Sequence, residues 1–242
     1  MSCKMGDGVQ LKTLIQEAYN KEADIYDADR YGDVHPANIR LRETIRNTLV
    51  KYLVGNTIFE LASGTGYWGK YLVGLGYKYS GVDLTPGMVN KALGRHLDVR
   101  LGDVEDPTVY PKDIDSIFCV KAFTFFQDPK KVLQNSYYSL KTGGRFICFY
   151  NNKRNFLLWV YSWFKDPNLI APSPPYERRY THREFESMAR GVGFKTLFIK
   201  DCVNLPYKYL PKHLRYTKWT NWLDEHLKFG WTTYTVLEKD EK

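Results

Sequence analysis

Gly64, Gly66 and Gly69, in the run Gly64-Thr65-Gly66-Tyr67-Trp68-Gly69, have the spacing that turns a strand into a helix and lets a nucleotide-like ligand approach bare backbone. Asp83 follows about 20 residues on, the separation at which a carboxylate meets ribose hydroxyls. The alternative is a tight turn that needs glycine for backbone reasons alone. The charge in front of the loop narrows the ligand. A pyrophosphate favours a helix N-terminus with no anion before it, yet Glu60 precedes Gly64 by only four residues. That carboxylate repels a pyrophosphate, which speaks against a nicotinamide-dependent oxidoreductase, and it suits a ligand bearing an ammonium.

A zwitterionic amino-acid tail joined to a sulfonium fits this charge pattern, so S-adenosyl-L-methionine is the expected cofactor. In Glu60-Leu61-Ala62-Ser63-Gly64-Thr65-Gly66, Gly81-Val82-Asp83-Leu84 and Gly102-Asp103-Val104 the sequence resembles the class I S-adenosylmethionine-dependent methyltransferases, the broad group that includes ubiquinone and menaquinone C-methyltransferases. The resemblance covers about residues 19–150. It implies a Rossmann-like α/β fold: a seven-stranded, mostly parallel sheet with helices on both faces and an antiparallel last strand. It also implies that Glu60, Ala62, Ser63, Gly64 and Gly66 form the cofactor loop and that Asp83 chelates the ribose hydroxyls. Leu84 would pack on adenine, Asp103 would accept from the adenine amino group, and the Val104 N–H would face the ring. Cys119, Val120 and Lys121 would lie near the methionine moiety. Ala62 replaces the family's first loop glycine, which is tolerable where its φ is negative. The segment Tyr19–Asp27 resembles the family's lid helix, with Tyr26 as the aromatic residue that closes over the cofactor or, equally, as a helix-packing tyrosine.

Transfer from a sulfonium needs in-line positioning more than covalent help, and a base only where the acceptor must lose a proton. Many relatives carry a histidine after strand four, where this chain has Thr124 and Phe125. No catalytic residue is therefore assigned. His35, His182 and His213 read as surface or capping residues. Lys121, Tyr150 and Asn151 stand at the carboxyl ends of the fourth and fifth strands, the edge where ligands bind in open α/β sheets, and are candidates for holding the acceptor with Trp159 and Trp163. Cys3, Cys119, Cys148 and Cys202 form no CxxC pair, so no metal site is expected and the thiols read as free and mostly buried.

The elements that must place these residues follow from periodicity. Helices are expected over 9–27 and 38–53, then strands at 57–61, 78–83, 98–101, 114–120 and 145–150 alternate with helices at 68–75, 86–93 and from Pro129 to a stop at Gly143-Gly144. A capping box, Thr181 with Glu184, opens a helix over 181–191, and strands 194–200 and 232–237 close the chain. The reading is one domain over 1–242, with lid helices in 1–54, a cofactor core in 55–150 and substrate-cover segments at 153–180 and 203–230. In the second cover, Pro211, Leu214, Trp222, Leu223 and Leu227 are expected on a helix packed over the sheet.

The composition, 43% hydrophobic and 26% charged, is that of a chain able to bury a core and excludes disorder. A net charge of +8 admits nucleic acid, a membrane surface or an acidic small molecule. Met1–Gly6 has no apolar leader and the run from Phe156 to Phe164 falls below the ~20 residues of a spanning helix. A cytoplasmic protein with at most peripheral membrane contact is expected. The favoured acceptor is a small, apolar or aromatic molecule. An RNA nucleoside is the runner-up, since Lys208, Lys212, Arg215 and Lys218 interleave with Tyr207, Tyr209, Tyr216, Trp219 and Trp222. A cofactor-binding protein without transfer activity is the third reading.

Overall fold

A computed structural model describes residues 5–33, 36–154, 177–205, 210–227 and 230–240. Trp159, Trp163, His35, Lys208, Tyr207 and Tyr209 lie outside them, as do Phe156–Phe164. The strands are β1 (Thr57–Leu61), β2 (Lys78–Asp83), β3 (Val99–Leu101), β4 (Ile114–Val120), β5 (Leu140–Asn151), β6 (Phe194–Cys202) and β7 (Thr232–Lys239). They form one sheet in the order β3-β2-β1-β4-β5-β7-β6. Neighbours among the first five run parallel, and β7 runs antiparallel to both β5 and β6. This is the Rossmann-like arrangement expected.

The parallel strands are covered on both faces, which is why β4 reads as a nearly unbroken apolar run. One face carries Phe59, Leu61, Ile117, Cys119, Phe146 and Tyr150 against Val132 and Leu133 of α6 (Pro129–Ser139) and Phe185 and Ala189 of α7 (His182–Val192). The other sets Ile58, Phe118, Ile147 and Val236 against α3 (Pro36–Tyr52), α4 (Tyr67–Gly74) and α5 (Pro86–Leu93) through Ile45, Leu49, Trp68, Leu72, Val89 and Ala92. Cys119, Cys148 and Cys202 are free and buried. Strand order reverses between β1 and β4, so the crevice at their carboxyl ends is the place for a ligand.

Three local expectations need correction. The helix over 9–27 is two: α1 (Met5–Glu22) and α2 (Tyr26–Tyr31), separated where Ala23 is buried and Ile25 is 62% exposed. Gly143-Gly144 does not stop α6, which already ends at Ser139; the pair sits inside β5, with Gly143 at φ 74° and a register shift between Leu140 and Arg145 opposite Ile114 and Ser116. A break in the register between β4 and β5, not the end of α6, is what these glycines serve. Pro211 precedes a single 3-10 turn, Lys212–Leu214, and the helix itself, α8 (Lys218–His226), starts later behind the N-cap Thr217. Trp222 does not pack over the sheet: Trp219 and Trp222 are 62% and 55% exposed, and the buried residues of α8 are Thr220 and Asp224.

Candidate functional site

After β1 the backbone turns through three left-handed residues, Ala62 (φ 52°), Gly64 (φ 55°) and Gly66 (φ 73°). The condition set for Ala62, a negative φ, is not met, so an L-residue stands in a conformation that costs it about 1–2 kcal/mol. Gly66 is required twice over, because a Cβ there would lie 2.4 Å from Leu97 Cδ1. Gly64 differs: its nearest neighbour on that side is Tyr26 Cε1 at 3.9 Å, so the loop presents open backbone toward Tyr26. Ser63 N–H donates to Val82 O at 3.0 Å.

Asp83 braces this loop from the end of β2. Its Oδ2 accepts from Gly64 N–H at 2.7 Å and its Oδ1 from Thr85 N–H at 2.8 Å. The Thr85 side chain bonds the carboxylate as well, which leaves it one further lone pair for a diol. Burial, with 7% of the residue exposed, pushes its pKa up. Glu60 lies deeper, 2% exposed, and its Oε2 accepts from the Tyr79 hydroxyl at 2.5 Å. The register opposite Glu60 is Gly81, where a Cβ would lie 2.8 Å from the Tyr79 hydroxyl, and the Tyr79 ring passes against Gly69. Burial holds the Glu60 carboxyl well above the ordinary glutamate range, and the Asp83 charge adds to this. Two carboxyls under one loop favour a cation above it.

Helices α1 and α2 lie across the carboxyl edge. Gln16 donates from Nε2 to Leu84 O at 2.8 Å, Gly87 N–H donates to Asn20 Oδ1 at 2.8 Å, and Lys12 pairs with Asp103 at 2.6 Å and Glu105 at 2.8 Å. Leu84 is half-buried; Asp103 already receives the Glu105 N–H at 2.9 Å, so it is shared between the chain and any ligand. Val104 is buried, and among the described residues no acceptor meets its N–H. Tyr26 is withdrawn from water, which pushes its phenol up to about 12, and Arg30 sits 5.9 Å from its ring. Asp27, next to it, accepts from Thr65 Oγ1 at 2.5 Å and pairs with Arg95, whose other nitrogen donates to Thr65 O at 2.8 Å. This clasp joins α2, the loop and the turn after α5. Nothing in the sequence marks Arg95 as its third member.

The second group lies where β4 and β5 end. Lys121 (φ 63°) reaches Asn151 Oδ1 and Thr232 Oγ1, the latter at 3.1 Å. Asn151 Nδ2 in turn donates to Glu177, whose carboxylate lies 4.0 Å from Arg179 Nε. Of the residues expected here, Lys121 and Asn151 are brought together, with Val120 half-buried beside them. Tyr150 is not: its ring stacks on Phe185 at 4.4 Å inside the core. Cys119 is likewise sealed in that core, 0% exposed. Glu177, Arg179 and Thr232 were not anticipated. His182 bonds to Asp201 at 2.7 Å on the α7 side, and His213 is exposed.

These residues suit the expected cofactor: exposed loop backbone at Gly64, a carboxylate with a spare lone pair at Asp83, an uncommitted N–H at Val104 and an aromatic ring at Tyr26. Residues 59–148 match the family model described as a methyltransferase domain. No curated protein sequence matches the chain. Among solved structures, the chain is similar to an S-adenosylmethionine-dependent methyltransferase from Thermotoga maritima, with a TM-score of 0.68 and 19% identity over 93% of this chain and 99% of that one. Magnesium protoporphyrin IX methyltransferase from Synechocystis PCC 6803 with bound S-adenosylhomocysteine gives 0.68 and 12% over 95% and 100%. A chain in the complex of the Haloferax volcanii Trm112 methyltransferase activator with a methyltransferase gives 0.65 and 22% over 93% and 98%. At these identities the likeness is one of fold.

Proposed function

With a methyltransferase domain over residues 59–148 inside the class I fold, this chain is an S-adenosylmethionine-dependent methyltransferase, and we propose that its acceptor is a small molecule with an apolar or aromatic body. The observation that supports this acceptor is an aromatic wall. Tyr26 and Tyr19 meet edge-on at 6.1 Å, and Tyr19 and Phe125 at 6.0 Å, so rings run from the open backbone of Gly64 to the loop after β4. Such a wall excludes water and binds flat apolar faces. The cofactor supplies a methyl group activated on a sulfonium. In this reading Asp83 holds the ribose diol, Asp103 and Val104 hold the adenine edge, Leu84 packs against it, and Tyr26 covers the loop. Residues 1–54 act as lid, 55–150 as cofactor core, and 153–180 and 203–230 as acceptor cover.

Methyl-labelled cofactor offered with phenols, aromatic amines, quinolines and, separately, tRNA tests the proposal. Label should pass to members of the small-molecule panel. RNA is the second reading, favoured by the exposed Trp219 and Trp222 beside the exposed Lys212 and Lys218. Label passing to tRNA alone, with binding that falls steeply with salt, would replace the first reading by the second.

A further inference from the structure

Lys121 is the first residue beyond β4, at the switch point beside the glycine loop, and it holds the left-handed φ of 63° that long side chains rarely adopt. Strain of this kind persists where the surroundings fix it; here Lys121 N–H donates to Phe149 O at 2.8 Å. At the other end, Nζ meets two neutral acceptors, Asn151 Oδ1 and Thr232 Oγ1. Among the described residues no carboxylate lies within ion-pair distance of Nζ; Glu177, whose charge acts on the lysine, accepts from Asn151 Nδ2. The amide of Asn151 is thereby oriented, its NH2 to the carboxylate and its oxygen to the lysine. A neutral amine has two N–H bonds, and these two acceptors occupy both. Its lone pair is left over.

We propose that Lys121 is the general base of the transfer, taking the proton from a hydroxyl or N–H of the acceptor. The inference rests on the small-acceptor reading above. The acceptor's lone pair forms the new bond to the methyl carbon, the methyl–sulfur bond pair stays on sulfur as a thioether, and the acceptor proton passes to Nζ. The resulting ammonium is held by Asn151 and Thr232 and later yields its proton to water. The positive charge that leaves sulfur thus reappears on Lys121, and the sum is unchanged. Burial supports the role by pushing the lysine down to about 8. The groups facing it are Arg30 from α2 and Arg179, which lower it further, and Glu177 and the Cys202 thiol of β6, which raise it. His182 is committed to Asp201.

The test follows the side-chain 13C signal of Lys121 in the full chain with S-adenosylhomocysteine bound, assigned by its loss in Lys121→Met. A midpoint near 8 is expected, with Glu177→Gln moving it lower. A midpoint of about 10 or above, where an ordinary lysine titrates, overturns the proposal. With the phenols of the panel, kcat should rise with pH toward a plateau above that midpoint. Lys121→Met should lower kcat by about 10²–10⁴-fold at little change in KM and erase the rise. Lys121→Arg, which keeps length and charge but cannot take a proton near neutrality, should do the same. Equal losses for phenols and for quinolines, whose ring nitrogen has no proton to give, would mark a positioning role and overturn the assignment. Should the unaltered enzyme methylate no panel member, the acceptor reading fails, while the 13C midpoint still decides on the base.

Discussion

Asp83→Ala separates two duties that one carboxylate combines. In the free protein it removes two charge-assisted backbone bonds, to Gly64 N–H at 2.7 Å and Thr85 N–H at 2.8 Å, and the bond from the Thr85 side chain, at a residue 7% exposed. Thr85 is 3% exposed, so its N–H loses its partner with little water to replace it. Each such bond contributes roughly 1.5–3 kcal/mol. Against that, burial disfavours the ionised Asp83, as its raised pKa records, and removing the charge returns part of the loss. About 2–4 kcal/mol remains, or roughly 5–12 °C in Tm for a chain of this size. Binding of S-adenosylhomocysteine should fall as well, by about 1–3 kcal/mol for the lost ribose contact, which is roughly 5- to 150-fold in Kd. Asp83→Asn should sit between, because an amide oxygen can accept from one of the two N–H groups while its NH2 opposes the other. Calorimetry and thermal melts on both variants decide. An unchanged Kd with a lowered Tm would leave Asp83 as a loop brace only, and an unchanged Tm would refute the bracing geometry.

Ala62→Gly removes the left-handed strain at φ 52° and should raise stability by about 0.5–1 kcal/mol after the extra entropy of glycine, read as an upward shift of Tm; a fall would show that the Ala62 methyl is needed. Glu60→Gln keeps an acceptor for the Tyr79 hydroxyl and removes a carboxyl whose folded pKa is raised. A raised carboxyl stabilises fully below its unfolded value and loses that contribution as pH climbs to the folded one. The variant should therefore gain on the parent as pH rises from about 4.5 toward neutrality; a constant difference in Tm across that range would contradict the burial cause. Asp27→Asn weakens the clasp to Arg95, and with groups only partly buried the effect should be about 1 kcal/mol, seen as roughly fivefold faster release of S-adenosylhomocysteine in stopped flow.

The positions of the strands, the loop after β1 and the carboxylate at the end of β2 were legible because each is carried by a local pattern: period-two or continuous apolar runs, glycines at fixed spacing, an acid at a strand end. The same patterns misled where two local meanings coincide. Gly143-Gly144 stops a helix and breaks the register of a strand equally well, and only the pairing between β4 and β5 tells the two apart. Ala62 carries a φ that its residue type argues against, and the bond from Ser63 N–H to Val82 O shows how the loop is tied to β2 there. The clasp of Asp27, Thr65 and Arg95 and the row Lys121, Asn151, Glu177 and Thr232 join loops far apart in sequence. No periodicity relates such residues; the sheet topology does, by delivering β1, β4 and β5 to one edge.

Helix α8 shows the physical limit of reading burial from hydrophobicity. Its tryptophans invite the interior, yet they face out, while Asp224, at 2% exposed, faces in. The reason is a demand for acceptors. Asp224 takes N–H bonds from Asn204 at 2.5 Å and Leu205 at 3.0 Å, where the chain leaves β6, and pairs with Arg40 of α3 at 3.2 Å. Turning α8 to bury Trp222 instead would strand those donors, at roughly 1–3 kcal/mol for each neutral one and more for the guanidinium. That approaches or exceeds what burying one further aromatic side chain returns. The acid therefore wins the inner face, and the outer face keeps the tryptophans beside Lys218, which is why the RNA alternative rests on α8 while the small-acceptor reading rests on α1, α2 and the loop after β4.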